Sequence, residues 1–167
     1  MAEKCYNVLF ICTGNSARSI MAEVIMNHLG RGHFKTYSAG SHPRGEVHPM
    51  TLEVLNNGEY DLSGLRSKSW TEFAQPDAPP MDFIFTVCDQ AAGETCPVWS
   101  GQPITAHWGF PDPAQQIGTV EEQRAAFSRV QFQIANRIRL FLSLPIDSLD
   151  RMSLQAKLRE MGQQTNA

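Results

Sequence analysis

The sequence predicts an α/β fold, a single domain with a central parallel four-stranded sheet flanked by helices. Three observations lead to this prediction. Four short apolar runs have the length and composition of strands that are buried on both faces. Helical spacing of apolar residues occurs between the first two runs, and strand–helix–strand units build parallel sheets. The 167 residues, 42% hydrophobic and 19% charged, suit one hydrophobic core.

The first strand–helix–strand unit is the most clearly marked. Residues 8–11 are apolar and predict a buried strand, and the small, polar residues 12–18 predict a loop. From Ser19 onward apolar residues recur at helical spacing until Gly30 ends the pattern. Residues 34–38 then predict the second strand.

The middle of the chain supplies the other two strands. Pro49 fits the first turn of a second helix, which Asn57 and Gly58 close. The apolar run 83–87 predicts a third strand, and the segment 104–106 predicts a short fourth one. Between them we expect a long loop, because that stretch is rich in glycine and proline.

The last third of the chain is predicted to be helical. Thr119 and Glu122 form the sequence signature of a capping box ahead of a long helix with one apolar face. We assign residues 1–145 to the domain and 146–167 to a C-terminal helical extension, with its helix at about 148–161. The sequence leaves open whether this helix packs on the domain, mediates self-association or contacts a partner.

The charge and the apolar runs exclude several classes of function. The formal net charge is −3, with no basic stripe of the kind that binds nucleic acid. No apolar run is long enough for a signal peptide or a membrane span. We therefore expect a cytoplasmic protein that binds neither nucleic acid nor membrane, and a monomer. In a reducing compartment the four cysteines (Cys5, Cys12, Cys88 and Cys96) are free thiols, metal ligands or redox catalysts.

The loop after the first strand is the strongest candidate site. Ligands of open parallel sheets bind at the carboxyl ends of strands, and a helix start offers unpaired N–H groups and partial positive charge. Arg18 supplies a planar fork for two oxygens of an anion, and Cys12 would lie at the centre of the loop. The predicted oxyanion-binding residues are Thr13, Gly14, Asn15, Ser16, Ala17, Arg18 and Ser19.

Cys12 is predicted to be a nucleophile. The loop amides and Arg18 favour the thiolate, so we expect the pKa of Cys12 to fall into the range of roughly 3.5–7.5 known for such settings. Ser19 could also donate to the sulfur. The alternative is a buried structural cysteine before an ordinary loop, but here a strand, a small polar loop, an arginine and a helix coincide.

These segments resemble the low-molecular-weight tyrosine phosphatase superfamily over roughly residues 6–143. The resemblance lies in VLFICTGNSARS at 8–19, MAE at 21–23, SAG at 38–40 and VHP at 47–49. It implies that Cys12 attacks a tetrahedral oxyanion. Phosphate and arsenate share charge and shape, so the loop alone does not choose between them.

The later cysteines favour arsenate. FTVC at 85–88, CP at 96–97 and HWGFPDPA at 107–114 resemble the arsenate reductase branch of that superfamily. The resemblance implies that Cys88 and Cys96 form a thiol relay and that Asp112 is the general acid. It also implies no bound cofactor or metal and an external dithiol, either thioredoxin or glutaredoxin with glutathione.

Other interpretations of these residues remain open. Cys88 and Cys96 could be buried fillers or, with His107, zinc ligands, and Asp112 could be a turn residue. Cys5 is interpreted as structural. A tyrosine phosphatase is the second function, although no aromatic pair follows Asp112, and a binding module for an oxyanion or arsenite is the third.

Two positions depart from the family pattern. Some reductases carry a second cysteine in the loop, where this chain has Ala17. Some members bind potassium through an asparagine, a glutamate and an aspartate, which correspond here to Asn15, Glu23 and Lys68. We hypothesise that the Lys68 ammonium takes the place of the cation and bridges to Asn15 or Glu23, whereas the alternative is a surface lysine.

Overall fold

A computed structural model describes residues 4–56, 60–93, 97, 99 and 101–163. Its sheet has four parallel strands in the order β2-β1-β3-β4, which confirms the predicted fold class. The strands are β1 (Tyr6–Cys12), β2 (Phe34–Gly40), β3 (Phe83–Thr86) and β4 (Ile104–His107).

The α-helices follow the predicted order, with one addition among the described residues. They are α1 (Arg18–Leu29), α2 (Pro49–Leu55), α3 (Asp89–Ala92), α4 (Val120–Leu142) and α5 (Arg151–Gln163). The addition is α3, a single turn directly after the third strand, where the sequence predicted only loop. The predicted end of α2 at Asn57 and Gly58 lies outside the described residues.

An aromatic cluster ties the sheet to α4. Phe85 on β3 stacks on Trp108 with ring centroids 3.9 Å apart, and Phe10 on β1 stacks on Phe85 at 5.6 Å. Phe141 of α4 meets the Phe83 ring edge-on at 5.3 Å. Burying one such side chain contributes about 1.5–3 kcal/mol, so this cluster holds β1, β3 and α4 together and fixes the strand ends that carry the site.

The long helix begins and packs as predicted. Thr119 accepts from the Glu122 N–H while the Glu122 carboxylate accepts from the Thr119 N–H, which completes the capping box. The apolar face of α4 is buried, at Phe127, Val130, Ile134, Ile138 and Phe141.

The C-terminal helix packs on the domain, which is one of the three possibilities left open above. Leu154, Leu158 and Met161 of α5 are buried, and α5 contacts β4. The indole N–H of Trp108 donates to the Leu158 carbonyl at 3.0 Å, and Arg137 of α4 donates to the Met161 carbonyl. The domain boundary at residue 145 stays a prediction. Within the described residues, no helix has both the length and the apolar character that a membrane span requires.

Candidate active site

The predicted loop lies where the strand order reverses. From β1 the chain crosses to β2 on one side, whereas β3 pairs with β1 on the other side, so a crevice opens at the carboxyl end of β1. A cavity of about 540 Å³ occupies this position. It is lined by Cys12, Thr13, Gly14, Ser16, Ala17, Arg18, His42, Arg44, Cys88, Asp89, Phe110, Pro111, Asp112, Ala114 and Gln115.

Hydrogen bonds to its backbone carbonyl groups hold the loop after β1 in place. Backbone N–H groups of the segment after β2 donate to them: Ser41 to Cys12 (3.2 Å), His42 to Thr13 (2.9 Å), Arg44 to Gly14 (3.0 Å) and His48 to Ser16 (3.0 Å). These bonds to its carbonyl groups fix the backbone of the loop, and amide N–H groups arranged in such a loop can bind an anion. The N–H of Asn15 donates to Cys12 Sγ at 3.2 Å.

Cys12 is buried, with 3% of its surface exposed. Burial raises the pKa of its thiol above the ordinary value, and the hydrogen bonds from Ser19 and Asn15 lower it by less. The prediction of a lowered pKa was therefore wrong for this structure, because desolvation of the thiolate outweighs the loop's hydrogen bonds. The proposed hydroxyl contact is present, with Ser19 Oγ 2.9 Å from Cys12 Sγ.

Arg18 and Asp112 meet at the cavity. The Arg18 guanidinium donates to the Phe110 carbonyl at 3.1 Å and lies 3.5 Å from Asp112 Oδ2. Asp112 Oδ1 also accepts from the Ala114 N–H at 3.0 Å, so this carboxylate caps a turn as well as lining the cavity. The structure thus places Asp112, the predicted general acid, beside Arg18, the predicted anion-binding arginine.

Cys88 lies in the same cavity as Cys12. It is buried, and Thr13 Oγ1 is 3.5 Å from its sulfur. Cys12 and Cys88 are both free thiols, whereas Cys96 lies outside the described residues. Cys5 is exposed ahead of β1, at the end opposite the loop, and its interpretation as a structural residue stays a prediction.

His107 is engaged by residues other than cysteine. Its Nδ1 lies 2.8 Å from Thr86 Oγ1, and its Nε2 lies 2.8 Å from Asp89 Oδ1. Both ring nitrogens therefore have hydrogen-bond partners on β3 and α3. Within the described ranges, no three metal-ligating side chains come together.

A buried polar network supports the loop from behind. Asn15 is fully buried with a positive φ of 48°, and its amide donates to Ser19 Oγ at 2.8 Å and Ser38 Oγ at 3.1 Å. Its carbonyl oxygen accepts from the backbone N–H of Lys68 at 2.9 Å. Gly14 does not adopt a positive φ, although glycine tolerates that conformation best.

Lys68 is a buried residue, so it is not the surface lysine of the alternative interpretation. Only 8% of its side chain is exposed, and its ammonium lies 3.6 Å from Glu23 Oε1 and 3.3 Å from Ser38 Oγ. Burial lowers the pKa of this ammonium, and the Glu23 charge offsets part of that effect. The ammonium thus reaches Glu23, whereas Asn15 is reached through the Lys68 backbone.

Two residues of this support are not among the site residues predicted from the sequence. Ser38 is fully buried and donates to Glu23 Oε1 at 2.8 Å. Gly40 pairs with Cys12 in the sheet, and a Cβ there would lie 2.5 Å from the Thr13 carbonyl oxygen. The sequence contains a signal for Ser38 and Gly40, because SAG at 38–40 ends the strand that is predicted to lie beside the loop.

Comparisons with known proteins place the chain in a family. A profile of the low molecular weight phosphotyrosine protein phosphatases matches residues 7–157. An arsenate reductase of Shouchella clausii is 37% identical over 134 residues, which cover 80% of this chain and 93% of that protein. The arsenate reductase of Bacillus subtilis is 36% identical over the same shares of the two chains.

A solved structure agrees with these relatives. The arsenate reductase from Archaeoglobus fulgidus matches with a TM-score of 0.64 and 25% identity, over 82% of this chain and 99% of that one. It shares with this chain the fold that carries the loop. The chain therefore belongs to the low molecular weight phosphotyrosine protein phosphatase family, within which the relatives named here are arsenate reductases.

Proposed function

We propose that this protein reduces arsenate to arsenite by a thiol relay of Cys12, Cys88 and Cys96. The observation that carries the proposal is that Cys12 and Cys88 line one cavity together with Arg18, the predicted anion-binding residue. The relatives support it, since arsenate reductases match 80% of the chain. A phosphatase needs one such cysteine, whereas reduction by thiols needs at least two.

The first step forms a bond between sulfur and arsenic. The thiolate of Cys12 attacks arsenate held by the loop amides and Arg18, and an oxygen of arsenate leaves as water after Asp112 protonates it. Arsenic is still As(V) at this point. The raised pKa of Cys12 means that forming the thiolate costs free energy, and the hydrogen bonds from Ser19 and Asn15 offset only part of that cost.

The second step reduces arsenic. The thiolate of Cys88 attacks the sulfur of Cys12, which forms a disulfide and breaks the sulfur–arsenic bond. The electron pair of that bond stays on arsenic, which leaves as As(III) in arsenite, while the two thiols are oxidised. The position of Cys88, within 3.5 Å of the Thr13 hydroxyl, supports this role.

The third step regenerates Cys12. Cys96 attacks the sulfur of Cys88, so the disulfide becomes Cys88–Cys96 and Cys12 is released as thiolate. An external dithiol then reduces Cys88–Cys96 in two exchanges. Thioredoxin and glutaredoxin with glutathione are both chemically suited to this reduction.

The test is a turnover assay with arsenate, run separately with thioredoxin and with glutaredoxin plus glutathione. We expect arsenite formation with one donor system and its loss in Cys12→Ser, Cys88→Ser and Cys96→Ser. In single turnover without donor, Cys96→Ser should still release one arsenite and accumulate Cys12–Cys88, detected by mass spectrometry. The matched control is Cys5→Ser, which removes an exposed thiol away from the cavity and should keep full turnover.

Two results would overturn the proposal. Arsenate reduction that survives Cys88→Ser would exclude the relay. Rapid hydrolysis of an aryl phosphate with no arsenate reduction would favour the phosphatase instead, since Cys12, Arg18 and Asp112 suffice for that reaction.

A further inference from the structure

The rim of the active-site cavity carries an arginine that the mechanism above does not use. Arg44 follows β2, its backbone N–H donates to the Gly14 carbonyl at 3.0 Å, and its side chain lines the cavity. The Arg44 side chain also lies over Gly14. A Cβ at Gly14 would be 3.1 Å from Arg44 Nε and 3.3 Å from its Cγ, so the missing side chain leaves space for the arginine stem.

The other charged side chains at this cavity have side-chain partners. Arg18 is 3.5 Å from Asp112, and Asp89 is 2.8 Å from the imidazole of His107. Across the part of the chain that the structure describes, Arg44 forms no ion pair. Its guanidinium therefore presents a positive charge that no carboxylate of the described residues pairs with, at the mouth of a site that must accept an anion.

We propose that Arg44 is a specificity-determining residue that selects doubly charged tetrahedral oxyanions over singly charged ones. Arg18 supplies one positive charge to the ligand, so a second negative charge on the ligand is best met by a second cation. An exposed charge at a rim acts mainly on capture and on salt dependence. Arg44 thus raises the affinity for the arsenate dianion and leaves the reacting atoms to Cys12 and Arg18. This inference rests on the proposed function only for the identity of the anion.

The first test measures anion binding without turnover. Iodoacetamide alkylates Cys12, and mass spectrometry of the Cys12 peptide follows the rate while sulfate or perchlorate protects it. Both probes are tetrahedral, but sulfate carries two charges and perchlorate one. We expect Arg44→Gln to weaken protection by sulfate about tenfold, at the lower end of electrostatic focusing effects, and protection by perchlorate clearly less.

Three variants separate charge from structure. Arg44→Lys keeps the charge and should stay within about threefold of wild type for sulfate. Arg129→Gln removes an exposed arginine on α4, outside the cavity, and should leave protection unchanged. In turnover, Arg44→Gln should raise KM for arsenate with kcat retained and reduce the ionic-strength dependence of kcat/KM.

Several outcomes would overturn the inference. They are sulfate protection in Arg44→Gln within about twofold of wild type, equal losses for sulfate and perchlorate, or Arg44→Lys behaving like Arg44→Gln. These outcomes differ from failure of the proposed function, because alkylation needs neither arsenate reduction nor an electron donor.

Discussion

Replacing Lys68 by methionine tests whether the ammonium holds the active-site loop in place. Lys68 and Glu23 are 3.6 Å apart, with 8% and 16% of their side chains exposed. Removing one partner of a buried pair costs about 3–5 kcal/mol. Glu23 keeps its hydrogen bond from Ser38 and some solvent, so we expect Lys68→Met to lower the free energy of unfolding by about 2–3 kcal/mol.

The matched control is a second ion pair between a lysine and a carboxylate, with the same separation. Lys4 and Asp82 are also 3.6 Å apart, but their side chains are 63% and 31% exposed. Lys4→Met should therefore cost at most about 1 kcal/mol. Urea denaturation of both variants and of wild type, monitored by circular dichroism, measures these differences directly.

Potassium binding provides a second test of the role of the Lys68 ammonium. If the ammonium takes the place of a cation, a potassium ion can bind between Glu23 and Asn15 once Lys68 is methionine. A concentration ten times the dissociation constant would stabilise that variant by about 1.4 kcal/mol. Wild type should respond equally to potassium and sodium chloride at constant ionic strength.

Two results would refute this reasoning. A loss in Lys68→Met no larger than that in Lys4→Met would show that burial does not strengthen the pair. A strong activation of the wild-type enzyme by potassium at constant ionic strength would show that the ammonium does not replace a cation.

Three further predictions concern the nucleophile, the loop support and the last helix. Burial raises the pKa of Cys12, so the thiol of the unfolded chain loses its proton at a lower pH than the thiol of the folded chain. The advantage of wild type over Cys12→Ser in the free energy of unfolding should therefore be complete near pH 7 and shrink above about pH 8.5. Urea denaturation at a pH below and a pH above this value measures the difference. Gly40→Ala places a methyl group 2.5 Å from the Thr13 carbonyl oxygen, so turnover and sulfate protection of Cys12 should both fall, and an unchanged rate would contradict the close approach. Leu158→Ala should lower the unfolding free energy by about 3 kcal/mol because the side chain is fully buried, whereas Met152→Ala, 83% exposed on the same helix, should change it little.

The sequence predicted the fold and the position of the loop because both depend on local patterns. Three features can each be recognised within about a dozen residues of sequence: the apolar run before Cys12, the helix after it, and the capping box at Thr119 and Glu122. Parallel pairing then follows from the connections. The turn α3 was missed because its four residues are too short to show helical periodicity.

The pKa of Cys12 could not be predicted from the loop, because it depends on how much solvent the folded chain excludes. The loop residues indicate hydrogen bonds to sulfur, and those of Ser19 and Asn15 are present. Their effect is smaller than that of burial, which residues distant in sequence impose.

By itself, the sequence determined the chemistry available at this site: a thiol in a small polar loop, an arginine five residues beyond Thr13, and a later cysteine after another buried strand. Only the tertiary structure decided which groups meet. Pairing of β1 with β3 carries Cys88 to the cavity of Cys12, and the segment after β2 brings Arg44 over Gly14. These contacts join residues about thirty to seventy-five positions apart, and such separations are closed by packing of the whole core, not by any local pattern.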